Sequence, residues 1–186
     1  MNRILVTGNA GSGKTTLSYQ LAKILNKETI CLDKIVWKSG WVLADKEEKE
    51  RQFTTITEMN SWVVDGVSRI ILEAADTIIF LDYPRYVCYL RVFRRNRKYI
   101  FRSRPELPQR CPEILVIGKL IKIIWHFRKL VRPTIINHIE KNINFKRIFH
   151  IRSNRELAFA INEIKKLRTN GGSEKGNNFA STIKKQ

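Results

Sequence analysis

The chain has 186 residues and carries 35 Lys and Arg against 17 Asp and Glu, a formal charge of +18. This length fits one α/β domain, excludes two full ones, and with 43% apolar residues allows a sizeable core. The charge indicates anionic partners, namely nucleotides, nucleic acid or a membrane surface.

The cysteines and histidines form no disulfide or metal pattern. Cys31, Cys88 and Cys111 are odd in number and lack a C-x-x-C pair, so they indicate reduced cytosolic thiols. The histidines do not cluster with them, and we assign no metal ligand to either type. Charges interrupt the longest apolar region, 114–130, and no signal peptide precedes the first strand. We therefore predict a cytoplasmic protein with no membrane partner.

The first third of the chain alternates strand and helix. Residues 3–7 form an apolar strand, and 14–26 have helical periodicity. A second strand is predicted over 29–32, and Asp33 directly follows it. After a loop with two tryptophans, a charged helix is predicted over 45–59, with Asp45 as its N-cap.

The alternation continues in the middle of the chain. Strands are predicted over 62–64 and 77–81, each followed by an aspartate. Pro84 suits the first turn of a helix that reaches about residue 98. Three prolines then predict an irregular loop over 99–112.

The last third contains two helices, 113–130 and 133–142, a fifth strand over 146–151 and a final helix over 154–168, capped by Ser153 or Asn154. The predicted domain is 1–168, with a basic, lid-like helical insertion at about 95–132 and a disordered tail over 169–186. This alternation favours a parallel sheet covered by helices on both faces.

The segment between the first strand and helix fits G-x-x-x-x-G-K-[ST], the phosphate-binding loop. Its glycines let backbone N–H groups point inward at anionic oxygens, and the following helix adds the positive end of its dipole. Lys14 is expected to reach the β- and γ-phosphates of ATP, and the Thr15 hydroxyl to bind Mg²⁺. The predicted nucleotide-binding residues are Gly8, Asn9, Ala10, Gly11, Ser12, Gly13, Lys14, Thr15 and Thr16.

Three aspartates directly follow predicted strands, so a parallel sheet places them at the same edge as the loop. Asp65 ends an apolar strand and is predicted to serve the metal. For Asp82, a helix cap is favoured over a metal role. Asp33 either caps a short helix or acts as a base or orienting group for the acceptor hydroxyl.

Arginines could supply the positive charge that phosphoryl transfer requires. Arg91 and Arg95 lie four apart on one helical face, and guanidinium groups match phosphate geometry. They are predicted to stabilise the transferring phosphoryl group, while a solvated basic helix is the plainer alternative. Arginines at 102, 104 and 110 are candidates to close over the reaction as a lid.

These segments together resemble the adenylate-kinase-related P-loop kinases. The resemblance rests on the loop, on Leu32-Asp33-Lys34 with the two tryptophans after it, on Trp62-Val63-Val64-Asp65-Gly66, and on Leu81-Asp82-Tyr83-Pro84-Arg85 before an arginine-rich helix. Arg102-Ser103-Arg104-Pro105-Glu106 is similar to the signature of the DNA topology modulation protein group within these kinases.

The resemblance implies a P-loop NTPase three-layer sandwich, with a five-stranded parallel sheet in the order 2-3-1-4-5 and ATP as phosphoryl donor. The segment 65–69 is similar to the D-G-F-P-R motif, which implies that Asp65 serves Mg²⁺ through water and that Arg69 holds the acceptor's phosphate. Arg91 and Arg95 match a pair of arginines of which one stacks on adenine and the next contacts the phosphates. The turn 152–154 would lie beside the adenine.

Two functions follow from these patterns. The first is an ATP-dependent phosphotransferase, acting on a small-molecule or nucleotide acceptor. The second is a nucleic-acid-binding protein that uses its nucleotide site as a switch and affects DNA topology. It rests on residues 85–132, which hold fourteen Lys and Arg against two Glu, with aromatic residues between them. The kinase is the favoured hypothesis. The sequence does not indicate the oligomeric state.

Overall fold

The computed structural model describes residues 1–99 and 117–169, and of residues 96–99 it describes only the backbone. Seven strands and eight α-helices lie in this part of the chain. In chain order they are β1 (Arg3–Gly8), α1 (Lys14–Leu25), β2 (Thr29–Cys31), α2 (Leu32–Val36), β3 (Trp37–Lys38), β4 (Val42–Leu43), α3 (Lys46–Glu58), β5 (Trp62–Asp65), α4 (Arg69–Ala74), β6 (Thr77–Leu81), α5 (Arg85–Tyr99), α6 (Ile117–Leu130), α7 (Arg132–Asn142), β7 (Arg147–Ile151) and α8 (Asn154–Thr169).

Five parallel strands form the main sheet, in the order β2-β5-β1-β6-β7. Counted along the chain, these strands are numbers 2-3-1-4-5, so the order implied by the resemblance is confirmed. Because all five run the same way, their carboxyl ends meet at one edge of the sheet. The loop after β1 and the segment after β5 therefore lie side by side.

Both faces of the sheet are buried, which confirms the α/β three-layer sandwich. Ile4 and Val6 of β1 pack with residues of α1 and α8 on one face. Leu5, between them in sequence, packs on the other face with the core residues of α3 and α4. Alternate side chains of a strand point to opposite faces, so an apolar run such as β1 needs a helical layer on each side.

Helices α6 and α7 wrap around the carboxyl edge of the sheet. Ile124 of α6 joins the core on the α1 side, whereas Phe127 packs on Phe80 on the opposite face. Ile135 and Ile139 of α7 continue that second contact. The side-chain amide of Asn9 also donates to the Ile124 carbonyl at 3.1 Å, so α6 is held against the phosphate-binding loop.

Two helix starts have the capping residues that the sequence predicts. The Asp45 carboxylate accepts from the Glu47 N–H at 2.9 Å, and the Ser153 hydroxyl from the Glu156 N–H at 3.2 Å. The Glu156 carboxylate in turn accepts from the Arg152 N–H at 2.7 Å. Side chains therefore accept hydrogen bonds from two backbone N–H groups at the start of α8.

Two local predictions were wrong, and one helix was not predicted. Strand β2 ends at Cys31 rather than at Leu32, because Leu32 turns into the core as the first residue of α2. The loop with two tryptophans contains the short hairpin β3–β4, in which Trp37 and Trp41 pack edge to face. Helix α4 was missed because only six residues form it, too few for a clear helical period.

Three further predictions rest on residues outside the described part of the chain. The irregular loop predicted over 99–112 lies there except for its first residue, and so do residues 100–116 of the lid-like insertion at about 95–132. All of the predicted disordered tail except Thr169 also lies there. Among the described helices, none combines the length and the apolarity that a membrane span needs.

Candidate functional site

The phosphate-binding loop packs closely against α5 and β6. At two of its glycine positions, the neighbouring backbone leaves no room for a side chain. Gly11 has φ of 75°, and a Cβ there would lie 2.6 Å from the Cys88 carbonyl oxygen. A Cβ on Gly8 would lie 2.5 Å from the Leu81 carbonyl oxygen. Close contact with the neighbouring backbone therefore sets the curl of the loop.

Hydrogen bonds within the loop hold several of its polar groups in place. Lys14 Nζ donates to the Asn9 carbonyl at 3.0 Å, which holds the ammonium group over the loop. The Ser12 hydroxyl is buried and has no hydrogen-bond partner among the described residues, a state that a ligand oxygen would relieve. The Ala10 N–H already donates to the Asn9 side chain at 2.8 Å. Thr16 is exposed on the first turn of α1.

The pair predicted to bind the metal comes together. The Thr15 hydroxyl donates to Asp65 Oδ2 at 2.6 Å across fifty residues of sequence. Asp65 Oδ1 is buried and accepts from no described oxygen or nitrogen donor, while the weakly donating Cys31 thiol lies beside the carboxylate. A hydroxyl and a carboxylate oxygen that lacks a strong donor are ligands of the kind that Mg²⁺ prefers, so these residues fit the ion.

Burial raises the pKa values of two neighbouring groups at this site, the Asp65 carboxyl and the Cys31 thiol. It raises the pKa of the Asp65 carboxyl, and the Thr15 hydrogen bond and the charge of Lys14 offset this only in part. Burial, with the negative charges of Asp65 and Asp33, raises the pKa of the Cys31 thiol to about 12. Cys31 is therefore a neutral thiol at physiological pH.

Asp33 lies near the metal-site carboxylate and does not cap a helix, which was one of its two predicted alternatives. It is the second residue of α2, whose N-cap position is held by Cys31. It is half-buried, and its charge contributes to the raised pKa of Asp65. This position is compatible with a group that faces an acceptor, and its catalytic role stays a prediction.

Arg91 reaches back from α5 to the phosphate-binding loop. Its guanidinium donates to the Ser12 carbonyl at 2.7 Å and to the Asn154 side chain at 2.8 Å. The same group lies over the Tyr83 ring, 4.1 Å from the centroid, and the Tyr83 hydroxyl also donates to Asn154 at 3.0 Å. The guanidinium is thus held in one orientation beside the loop.

Two residues orient Arg91, and only one of them was singled out from the sequence. Tyr83 received no role in the sequence prediction, since a single aromatic residue after a strand has no distinctive pattern. Asn154 belongs to the turn expected beside the adenine, but its bond to Arg91 spans 63 residues. Arg95 lies one turn further along the same face of α5 and is half-buried. The candidate lid arginines at 102, 104 and 110 lie outside the described residues.

Asp82 does not cap a helix, which corrects the favoured prediction for it. Its carboxylate accepts three hydrogen bonds from Arg132, at 2.8, 2.9 and 3.0 Å, and lies 2.9 Å from His150 Nε2. Burial by itself raises the pKa of Asp82, but the bonds from His150 and Arg132 outweigh it, so the pKa lies below its usual value. The ion pair of Asp82 with Arg132 therefore holds α7 against the sheet.

A cavity of about 190 Å³ opens on the α4 side of β1. Its walls are continuous with the site, because Thr7 directly precedes the phosphate-binding loop and Val67 follows the Asp65-Gly66 turn. Most of the lining is apolar; the polar side chains are Thr7, Ser68, Arg69 and Thr134. The Ser68 hydroxyl caps α4, and Arg69 pairs with Glu73 at 2.9 Å.

Comparison with known proteins identifies the fold. Shikimate kinase from Acinetobacter baumannii, solved in complex with shikimate, is similar with a TM-score of 0.56 and 15% identity, over 93% of this chain and 96% of that one. The YorR protein of Bacillus subtilis, solved with phosphorylated GDP, has a TM-score of 0.51 and 13% identity, over 91% and 99%. No protein-family model matches the sequence, and no curated protein does. At this level of identity the likeness concerns the fold, and this chain has the fold of the P-loop kinases.

Proposed function

We propose that this protein is an ATP-dependent phosphotransferase that acts on a small-molecule acceptor. The observation that carries the proposal is the 2.6 Å contact between the Thr15 hydroxyl and Asp65, next to Lys14 and at the end of a loop shaped by glycines. A hydroxyl and a buried carboxylate at this point are what a Mg²⁺-nucleotide site requires.

Each described group has a definite role in this proposal. The loop amides, the Ser12 hydroxyl and Lys14 bind the triphosphate of ATP, while Thr15 and Asp65 hold Mg²⁺. The ion, when bound, neutralises charge on the phosphate oxygens. Arg91 adds a fixed positive charge at the loop, either on the phosphates or beside the adenine. Arg95 stabilises the transferring phosphoryl group from the next turn of α5.

The acceptor is assigned to the cavity beside Thr7. Arg69 is the anchor for an anionic group of the acceptor, and Asp33 orients or deprotonates the hydroxyl that attacks. The structures most relevant here were solved with shikimate and with phosphorylated GDP, two chemically different ligands, so the acceptor's identity is left to experiment. Adenylate-kinase-like specificity and membership of the DNA topology modulation group stay predictions.

The alternative, a nucleotide-switched nucleic-acid-binding protein, also stays a prediction. No described contact favours it, and two of the arginines that motivated it are engaged within the protein. Arg91 binds the loop, and Arg132 binds Asp82. The kinase is therefore the function that the site geometry supports best.

Replacing Lys14 with Ala tests the proposal. We expect the variant to fold, because Lys14 is half-buried and bonds only a loop carbonyl, and to bind ATP at least about tenfold more weakly. Calorimetric titration with Mg²⁺-ATP measures the affinity, and circular dichroism checks the fold. Lys23→Ala, an exposed lysine near the other end of α1, is the matched control and should bind as the wild type does.

Turnover is tested separately, with labelled ATP and a screen of nucleotides, hydroxy acids and small alcohols. Transfer of label to an acceptor by the wild type, lost in Lys14→Ala, supports the phosphotransferase. Unaltered ATP binding by Lys14→Ala would remove the proposal.

A further inference from the structure

Helices α5 and α6 lie side by side and run in opposite directions. The Tyr89 hydroxyl of α5 donates to the Ile121 carbonyl of α6 at 3.3 Å. Four residues earlier on α5, the Arg85 guanidinium lies over the Trp125 ring, 4.6 Å from its centroid. These two contacts fix the pairing, because moving toward the start of α5 means moving toward the end of α6.

The outer surface of this helix pair is apolar where a solvated helix would be polar. Tyr86, Leu90 and Phe93 are 73%, 50% and 68% exposed, and their spacing of four and three residues places them on one face of α5. Ile121 and Trp125, 48% and 54% exposed, lie on the flank of α6 that touches α5. We call these five residues the apolar patch.

The apolar patch has cations around it and no acidic residue on its own helices. Residues 85–95 and 117–130 contain eight Lys and Arg and no Asp or Glu. Lys122 and Lys129, both exposed, lie on the outward side of α6 next to Ile121 and Trp125. Arg94 is exposed on α5 beside Phe93. A partner that fits this surface must offer negative charge at its boundary and an apolar interior.

A second copy of the chain does not meet that requirement. Two such patches face to face would bring cations against cations, in molecules that each carry +18. Nucleic acid supplies the negative charge but offers little to Leu90 and Ile121. The Trp125 ring, the largest aromatic group of the patch, is already covered by Arg85 and is less available for stacking on a base.

We infer that the apolar patch docks this protein on the surface of an anionic lipid membrane, which revises the sequence-based expectation of no membrane partner. Aromatic and aliphatic side chains enter the boundary between headgroups and acyl chains, while Lys122, Lys129 and Arg94 meet the lipid phosphates. This is a helix pair lying on a membrane, so it needs no spanning helix. The surface is separate from the loop and the Asp65 pair, so it does not depend on the proposed phosphotransfer.

Vesicle sedimentation with the full chain tests the inference. Vesicles of phosphatidylcholine containing phosphatidylserine should bind the wild type at least about tenfold more tightly than phosphatidylcholine alone at low salt. Leu90→Ser with Phe93→Ser should lower this binding about tenfold or more, because exposed apolar contacts are lost. Val42→Ser with Leu43→Ser removes two similarly exposed apolar residues from the β3–β4 hairpin and should change it little.

The cations are tested in the same assay. Lys122→Glu with Lys129→Glu should weaken binding to the anionic vesicles by about tenfold or more, since each cation near the surface contributes to attraction. Lys141→Glu with Lys165→Glu makes the same change in charge on exposed positions of α7 and α8 and should have a much smaller effect. Melting temperatures check that every variant folds.

Three results would overturn the inference. One is equal binding of the wild type to neutral and anionic vesicles. Another is equal loss of binding in the patch variants and in their controls. The third is binding of duplex or single-stranded DNA, without vesicle binding, that the patch variants abolish, which would assign the surface to nucleic acid instead.

Discussion

Asp65 shows at the level of one residue how a functional site opposes stability. The carboxylate is 3% exposed, and one of its oxygens lacks a strong hydrogen-bond donor in the described part of the chain. Burial raises its pKa, which means that the ionised form is held at a cost in the folded state. A site that binds a cation must keep such a group ionised and incompletely bonded.

We expect Asp65→Asn to raise the melting temperature at neutral pH by a few degrees and to abolish Mg²⁺-dependent ATP binding. Because the folded pKa is raised, the wild-type carboxylate penalises folding above its ordinary pKa of 3.8, and the penalty grows as pH rises through the folded pKa. The neutral amide removes this penalty and can still accept from Thr15. Scanning calorimetry between pH 3 and 7 measures the difference, which should shrink toward pH 3. A melting temperature below that of the wild type at pH 7 would contradict this account.

At the scale of elements, Asp82 determines where α7 sits. Arg132 is the first residue of α7 and His150 lies in β7, so one carboxylate joins a helix and two strands at the carboxyl edge. Phe80 stacks on His150 at 5.1 Å, beneath the α7 residues that cover it. The ion pair and the apolar contacts therefore hold α7 in the same position.

Replacing Arg132 with Gln should cost about 1–3 kcal/mol of unfolding free energy at pH 7, because it leaves a largely buried carboxylate with one partner fewer. The folded pKa of Asp82 is lowered, so this stabilisation is fully present above pH 3.8 and is lost as pH falls toward the folded pKa. Urea unfolding at pH 7 and pH 3 measures both effects. Lys166→Gln, which breaks the more exposed Lys166–Glu163 pair, should change stability little. An equal cost for Arg132→Gln at the two pH values would be inconsistent with this role of Asp82.

At the scale of the whole molecule, the net charge is the dominant electrostatic property. A charge of +18 on 186 residues produces self-repulsion in the compact state that salt screens. The basic surface also raises the local concentration of anions such as ATP. Stability and nucleotide affinity should therefore respond in opposite directions to ionic strength.

We expect the melting temperature to rise by several degrees between 50 mM and 500 mM KCl, while the affinity for Mg²⁺-ATP falls. Lys141→Glu with Lys165→Glu lowers the net charge from +18 to +14 and should make the rise in melting temperature smaller. Differential scanning fluorimetry across the salt series measures it. A melting temperature that falls with KCl would show that ion pairs outweigh self-repulsion.

Local sequence was sufficient for the five strands of the main sheet, for the longer helices and for the phosphate-binding loop. Apolar runs of three to six residues between helical periods predict a parallel sheet, and the eight-position motif predicts the curl after β1 with Lys14 and Thr15 on it. The position of Asp65 follows from one rule, that parallel strands end at one edge. This rule brings Asp65 close to Thr15, as the structure has it, while the metal role of the two residues stays a prediction.

Tertiary structure alone decided the other contacts between side chains that are distant in sequence. Arg91 and Ser12 are 79 residues apart, and Asp82 meets Arg132 and His150 at separations of 50 and 68. No local period encodes such pairs, because they depend on how α5 and α7 pack on the finished sheet. Asp82 was predicted to be a cap because its distant partners could not be identified from the sequence. No sequence pattern predicted the cavity beside Thr7. The elements and the phosphate-binding loop are local properties of this chain, whereas the partners of its charged groups exist only once the layers have packed.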